Sequence, residues 1–155
     1  MREISIILGS KSDLDFIKPA EDLLKKLDVE YELKILSAHR TPEKLEEYVK
    51  KAESNGIKII IAAAGGAAAL PGVVASFTDL PVIGIPVPTK YLNGIDSLLS
   101  ILQMPKGIPV ATMAIGSQAP INSVLYALKI LSLTDRKYRE KLNSYKEEQL
   151  KKYNS

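Results

Sequence analysis

The residues best suited to acid–base chemistry lie in one short stretch, Ser37-Ala38-His39-Arg40-Thr41-Pro42, which contains the only histidine among 155 residues. A histidine has an unperturbed pKa of about 6.5, so His39 can donate and accept a proton near neutral pH. The guanidinium of Arg40 can form paired hydrogen bonds with a phosphate or a carboxylate. Considered alone, such a pair is more often an ordinary polar corner at the surface.

A second stretch, Gly9-Ser10-Lys11-Ser12-Asp13, follows the first apolar segment of the chain. It combines a glycine, two hydroxyls and the start of a predicted helix, where free N–H groups and the helix dipole favour an anion. A capped turn without a ligand would have the same composition, with Ser12 or Asp13 accepting a hydrogen bond from a free backbone N–H. The glycine spacing does not fit a dinucleotide-binding motif.

A third stretch, residues 62–72, consists almost entirely of small residues and includes Gly65, Gly66 and Leu70. Small side chains allow the backbone to come close either to a flat ligand or to a neighbouring helix. The two explanations are equally good when the stretch is considered alone.

The hydrophobic pattern predicts the elements that position these stretches. Short apolar segments alternate with amphipathic ones, which predicts an α/β fold with three layers and a parallel sheet of about five strands. Right-handed crossovers place the C-terminal ends of the strands on one edge, so the three stretches should converge there. Pro19 lies within the first helical pattern, which predicts a late start or a kink. The strands are predicted at residues 4–8, 31–36, 57–63, 81–86 and 109–115.

Composition argues against several classes of function. The chain has no cysteine, which excludes disulfides and thiolate chemistry, and a single histidine argues against a zinc site. Lysine and arginine outnumber aspartate and glutamate by only 21 to 18, with mixed signs near the C-terminus, which argues against nucleic acid as a partner. Neither a membrane span nor a signal peptide is predicted, so we expect a cytoplasmic protein.

Beyond residue 133 the pattern changes to a highly charged helix with a narrow apolar stripe. A helix with so thin a stripe is marginal in water unless it packs against another element. We therefore divide the chain into a single α/β domain, residues 1–133, and a C-terminal helix, residues 134–155. That helix is expected to pack on a neighbouring subunit, and folding back onto its own sheet is the alternative. The stripe consists of Tyr138, Leu142, Tyr145 and either Gln149 or Leu150.

Taken together and in this order, the motifs resemble the class I N5-carboxyaminoimidazole ribonucleotide mutases of purine biosynthesis, in the phosphoribosylaminoimidazole carboxylase catalytic subunit family. The resemblance covers residues 4 to about 131. The order of all the motifs together is specific enough to outweigh the explanations of each single motif that involve no ligand. It rests on Gly-Ser-x-Ser-Asp at residues 9–13, Ser-Ala-His-Arg-Thr-Pro at 37–42 and Ala-Gly-Gly-Ala-Ala-x-Leu-Pro-Gly at 64–72.

The resemblance implies a flavodoxin-like fold and an enzyme that converts N5-carboxyaminoimidazole ribonucleotide to 4-carboxy-5-aminoimidazole ribonucleotide without metal or organic cofactor. It implies that His39 carries the proton. It also implies a homo-oligomer, an octamer in the family, in which a C-terminal helix reaches a neighbour. The matching substrate-binding residues are Ser10, Asp13, Ser37 and Arg40, and the wall of small residues adds Gly65, Gly66 and Leu70.

The implied site assigns Asp13 to the ribose hydroxyls and assigns Ser10 and Arg40 to the phosphate, although these two roles are interchangeable on sequence alone. Ala69 stands where the family pattern has a second histidine, which leaves His39 as the only candidate for proton transfer. Two other functions stay open. One is direct carboxylation of aminoimidazole ribonucleotide by carbon dioxide, and the other is binding of a nucleotide phosphate without catalysis.

Overall fold

Short apolar segments pair side by side in the computed structural model of the chain, which describes residues 2–154. Within those residues they form a single five-stranded parallel sheet in the order β2-β1-β3-β4-β5. The first six residues of the central strand, β3, are all apolar and buried, as expected for a strand that is covered on both faces. The strands are β1 (Ile4–Leu8), β2 (Tyr31–Ile35), β3 (Ile59–Gly65), β4 (Val82–Val87) and β5 (Ala111–Thr112).

Helices cover both faces of this sheet. Ile59, Ile61 and Ala63 of β3 pack into the core formed with α1, α5 and α6. The alternate residues Ile60 and Ala62 pack into a second core, formed with α2, α3 and α4. The α-helices among residues 2–154 are α1 (Leu14–Lys26), α2 (Pro42–Ala52), α3 (Leu70–Ser76), α4 (Ile95–Leu102), α5 (Ala119–Leu131) and α6 (Arg136–Tyr153).

The predicted three-layer α/β architecture is confirmed, but the fifth strand is much shorter than expected. Only Ala111 and Thr112 pair with β4, opposite Ile83 and Gly84. Pro109 has no N–H to donate, and an edge strand has a neighbour on one side only. The apolar pattern over residues 109–115 therefore overestimates the length of β5.

The first helix also differs from its prediction. It begins at Leu14 and contains Pro19, so it does not start late. A single 3₁₀ turn, Lys11–Asp13, precedes it, and the Ser10 hydroxyl accepts a hydrogen bond from the Ser12 N–H at 3.3 Å. The predicted capping by Ser12 or Asp13 is wrong, because the intervening turn moves the capping position to Ser10. The carboxylate of Asp13 makes no such bond and is left available for another role.

Most of α6 folds back onto its own domain. Tyr138 and Leu142 are buried with residues of α1 and α5. Lys141 donates to the carbonyl oxygens of Leu27 and Asp28, at 2.6 and 3.0 Å, which satisfies the C-terminal end of α1. Further along the helix, Glu148 forms an ion pair with Lys26 of α1. The alternative of folding back therefore describes the helix as far as Glu148. Contact between a neighbouring subunit and the exposed end of α6 stays a prediction. No helix within residues 2–154 has both the length and the apolar character required to cross a membrane.

Candidate active site

The loops that follow β1, β2, β3 and β4 surround one cavity of about 320 Å³ at the C-terminal edge of the sheet. Parallel α/β sheets commonly bind their ligands at this edge. The three stretches singled out in the sequence therefore lie side by side. The predicted residues that line the cavity are Ser10, Asp13, Ser37, His39, Arg40, Gly65 and Leu70.

Gly66 is the one predicted site residue that does not line this cavity. Its N–H donates a hydrogen bond of 2.9 Å to the hydroxyl of Ser97 in α4. The backbone donor of Gly66 is thus already engaged on the side away from a ligand. Direct contact between Gly66 and a substrate stays a prediction.

The loop that carries His39 is a tight turn closed by its own side chains. The Ser37 N–H donates to the Thr41 hydroxyl at 3.0 Å, and that hydroxyl donates to the Ser37 carbonyl at 3.2 Å. The Arg40 N–H donates to the Ser37 hydroxyl at 3.1 Å. Thr41 and Pro42 begin α2 as expected, but Thr41 closes the preceding turn instead of capping the helix.

His39 and Arg40 are exposed at the rim of the cavity. Within residues 2–154 neither side chain makes a hydrogen bond or an ion pair. An imidazole and a guanidinium without protein partners are available to a ligand. The arrangement fits proton transfer next to anion binding.

Asp13 lies deeper and is only partly accessible to solvent. Burial raises the pKa of its carboxyl group, and hydrogen bonds from Ser12 and from the backbone near Ser10 oppose that change. No lysine or arginine in the described part of the chain, residues 2–154, forms an ion pair with it. A carboxylate in this position can accept hydrogen bonds from ligand hydroxyl groups, which would replace the lost water.

The opposite wall consists of the small residues after β3. Ala64, Gly65, Ala67, Ala68 and Ala69 line the cavity together with Leu70. Ala69 immediately precedes α3 and faces the same space as His39. The position where the family pattern has a histidine therefore lies in the site, and alanine adds no proton donor there.

Sequence reasoning missed the contribution of the loop after β4. Val87, Pro88 and Thr89 line the cavity, as do Ser12 and Ala38. The available signal was topological, because this loop leaves the same edge of the sheet as the other three. Its residue types, valine, proline and threonine, have no chemistry that would single them out.

A second recess of about 350 Å³ adjoins the cavity on the side of β2. Ser10, Ser37 and Arg40 line both spaces, whereas Lys11 lines only the second and Asp13 only the first. Two cationic side chains therefore border the recess beside hydroxyl groups. Such a combination favours a phosphate. Among residues 2–154, no group of three or more histidine, aspartate or glutamate side chains is placed to hold a metal ion.

Comparison with known proteins identifies the family. The model of the AIR carboxylase family matches residues 3–152 of this chain. The chain belongs to the AIR carboxylase family. The resemblance inferred from the motifs is thus confirmed over almost the whole chain.

Curated members of the AIR carboxylase family from distant organisms are similar to the chain over nearly its full length. The N5-carboxyaminoimidazole ribonucleotide mutase of Pyrococcus abyssi is 54% identical over 148 residues, which are 96% of this chain and 84% of that protein. The mutase of Saccharolobus solfataricus is 50% identical, over 96% of this chain and 92% of its own length. The mutase of Bacillus subtilis is 54% identical, over 93% and 89%.

Solved structures agree with the fold. The crystal structure of Treponema denticola PurE has a TM-score of 0.87 at 33% identity and covers 97% of this chain and 92% of its own. The crystal structure of a singly substituted Treponema denticola PurE2 has a TM-score of 0.88 at 34% identity, with coverages of 99% and 94%. These similarities confirm the predicted flavodoxin-like α/β fold.

Proposed function

We propose that the chain is an N5-carboxyaminoimidazole ribonucleotide mutase of purine biosynthesis. The observation that carries the proposal is the shared cavity, in which His39, Arg40, Ser10 and Asp13 meet in a chain about half identical to curated mutases. The product is 4-carboxy-5-aminoimidazole ribonucleotide. The reaction takes place in the cytoplasm.

His39 carries the proton in both directions. A carbamate loses carbon dioxide when the departing nitrogen is protonated, and the imidazolium of His39 donates that proton. Carbon 4 of the aminoimidazole then attacks the retained carbon dioxide and loses its own proton to the imidazole. The cycle consumes no net acid or base, so one titratable side chain is sufficient. Retention of carbon dioxide beside carbon 4 makes the second step a proximity effect.

The two recesses support a definite orientation of the substrate. Ser10, Arg40 and Lys11 hold the phosphate in the second recess, because this is where the cationic groups lie. Asp13 accepts hydrogen bonds from the ribose hydroxyls in the main cavity. The aminoimidazole ring then lies between His39 and the small-residue wall, whose lack of bulk admits a flat ring.

An assay with each substrate supplied separately tests this function. Purified protein is mixed with N5-carboxyaminoimidazole ribonucleotide at low bicarbonate, or with aminoimidazole ribonucleotide at high bicarbonate, and product is followed by ultraviolet absorbance. Turnover of the first substrate supports the mutase. Turnover of the second alone assigns direct carboxylation, the reaction that the family's description names. Binding without turnover assigns a non-catalytic phosphate-binding protein.

The protein acts as a homo-oligomer, in which one face of α4 is covered by another copy. Ile95, Leu99 and Leu102 lie at three- and four-residue spacing and are each more than half exposed, and Leu92 extends this apolar face. A soluble protein rarely leaves a continuous apolar surface of this kind open to water. The octamer of the resembled family is the assembly that we propose.

Light scattering of two variants tests the assembly. Leu99→Asp places a charge in the α4 face and is expected to lower the oligomer mass, while circular dichroism stays unchanged because the side chain is exposed. Deletion of residues 149–155 removes the end of α6 that carries the exposed Leu150 and Tyr153, and leaves Tyr138 and Leu142 in the core. A lower mass supports contact between that end and a neighbour. An unchanged mass in both variants would contradict the proposed interfaces.

A further inference from the structure

A buried serine connects two of the strand ends that border the cavity. Ser97 lies in the first turn of α4 and its side chain is fully buried. Its hydroxyl accepts a hydrogen bond from the Gly66 N–H at 2.9 Å and donates one to the Val87 carbonyl at 2.7 Å. Gly66 follows β3 and Val87 ends β4. One hydroxyl therefore bridges the exits of two adjacent strands.

Both backbone groups belong to segments that form the cavity. Gly65 and Ala67 line it on either side of Gly66, and Val87 lines it directly. Gly66 has a φ of +70°, and a Cβ added there would meet no atom within 4 Å. Gly66 therefore has no side-chain packing to hold it in place. Because glycine can adopt many backbone conformations, hydrogen bonds determine the orientation of its peptide groups. They thereby determine the course of the small-residue wall.

Two other residues of α4 form hydrogen bonds with the same segments that border the cavity. The carboxylate of Asp96 accepts a hydrogen bond of 2.7 Å from the hydroxyl of Thr89, which lines the cavity. The Ser100 hydroxyl approaches the Gly66 carbonyl at 3.3 Å. The segments that leave β3 and β4 are thus both hydrogen-bonded to α4, and among residues 2–154 Ser97 is the one side chain that hydrogen-bonds to both Gly66 and Val87.

We propose that Ser97 is a positioning residue of the mutase reaction, which holds the small-residue wall and the end of β4 at the separation that the substrate requires. This rests on the proposed function. Ser97 contacts neither the cavity nor its contents, and acts through the backbone of Gly66 and Val87. Without the hydroxyl, the Gly66 N–H and the Val87 carbonyl lose their partners, so the loop turns the amide towards water and the wall moves.

The test compares Ser97→Ala with Ser123→Ala. Ser123 is equally buried, but its hydroxyl bonds only to the Pro120 carbonyl, at 2.7 Å, within its own helix α5. Both variants lose one buried hydroxyl, and only the first disconnects two strand ends. Steady-state kinetics with N5-carboxyaminoimidazole ribonucleotide and amide hydrogen exchange of the peptide covering residues 64–70 are measured on both variants of the 155-residue chain.

For Ser97→Ala we expect KM to rise about tenfold, because the displaced wall fits the substrate less well, while kcat changes little. Amide hydrogen exchange in residues 64–70 of Ser97→Ala should become about tenfold faster. In Ser123→Ala we expect KM and the exchange rate to equal those of the unmodified protein. Unchanged KM and unchanged exchange in Ser97→Ala would overturn the proposal. So would equal effects in the two variants, because they would report a general loss of stability.

A second variant keeps the test decisive if Ser97→Ala does not fold. Gly66→Ala adds a methyl group in open space and disfavours only the left-handed backbone that presents the N–H to Ser97. It is expected to raise KM and local exchange in the same way, and normal values of both would overturn the proposal. If the unmodified protein turns over no substrate, the proposed function fails. The exchange measurement then decides the role of Ser97 by itself.

Discussion

Ser37 and Thr41 hold each other in place on either side of His39. Two hydrogen bonds join the backbone of Ser37 to the hydroxyl of Thr41, and a third joins the Thr41 N–H to the Ser37 carbonyl at 3.0 Å. The backbone position of His39 is thus set by a turn whose bonds are all local. Because the next helix begins at Pro42, the turn is also fixed to α2.

Replacement of His39 by asparagine is expected to reduce turnover by a factor of about 10² to 10⁴, the usual contribution of a general acid–base group. Asparagine retains hydrogen bonding and similar size, so the substrate should still bind with nearly normal affinity. Steady-state kinetics and calorimetric titration separate the two effects. Near-normal turnover would contradict the proton-carrying role, since no second histidine exists to replace it.

Replacement of Thr41 by valine is expected to lower kcat about tenfold and to cost about 2 kcal/mol of unfolding free energy, because the hydroxyl makes two hydrogen bonds, each with a net value of about 1 kcal/mol. Valine has the shape of threonine without the hydroxyl, so only the hydrogen bonds between the Thr41 hydroxyl and the backbone of Ser37 are lost. Thr78→Val is the matched control, because the Thr78 hydroxyl accepts a hydrogen bond of 3.1 Å from Leu80, next to the opposite end of β4. Equal losses of activity in both variants would refute a local role of Thr41.

Replacement of Asp13 by asparagine is expected to weaken substrate binding and to stabilise the fold at pH 7. Burial raises the pKa of the Asp13 carboxyl group, so the charged form is less favourable in the folded chain than in the unfolded one. A group with a raised folded pKa contributes stability below its unfolded pKa and loses it as the pH rises through the folded pKa. The gain in stability of Asp13→Asn over the unmodified protein should therefore disappear at low pH.

Thermal melts at pH 7 and at low pH, with calorimetric titration of the substrate, check both parts of the Asp13 prediction. Asp79→Asn, at an exposed loop position before β4, is the control and should change neither quantity. A lower melting temperature of Asp13→Asn at pH 7 would contradict the unfavourable burial of the Asp13 charge. An unchanged substrate affinity would contradict its contact with the substrate.

Replacement of Glu3 by glutamine is expected to destabilise the fold at neutral pH. Burial acts to raise the pKa of Glu3, but hydrogen bonds from Lys58, Tyr138 and Lys137 prevail and lower it from 4.5 to about 2. The Tyr138 hydroxyl and the Lys137 ammonium, the latter at 3.2 Å, join α6 to the start of β1 through this one carboxylate. A shift of this size corresponds to a contribution of about 3 kcal/mol at neutral pH.

The sign of the Glu3 effect defines its pH window. A carboxyl group with a depressed folded pKa contributes stability above its unfolded pKa and loses it as the pH falls through the folded value. The difference in unfolding free energy between the two proteins should thus be complete at pH 7 and should shrink between about 4.5 and 2. Urea titrations across this range measure it. Glu47→Gln, an exposed pair with Lys51, is the control, and a pH-independent difference would contradict the assignment.

Sequence reasoning predicted the parallel α/β fold and the convergence of three stretches because both follow from short-range patterns. Strand and helix periodicities are local, and right-handed crossovers leave one arrangement of the strand ends. His39, Arg40, Ser10 and Asp13 were identified by residue type and by position after a strand. The prediction that they bind substrate awaits the assays above.

Other features depend on contacts between residues far apart in the chain, which local patterns do not encode. Ser97 lies 31 positions from its hydrogen-bond partner Gly66 in the sequence, and Tyr138 lies 135 positions from its partner Glu3. These contacts form only when the sheet brings its strand ends and helices together. The sequence by itself therefore determined which residues can perform the chemistry and on which edge they meet. Only the tertiary structure decided that Gly66 faces α4 and that α6 returns to the first strand.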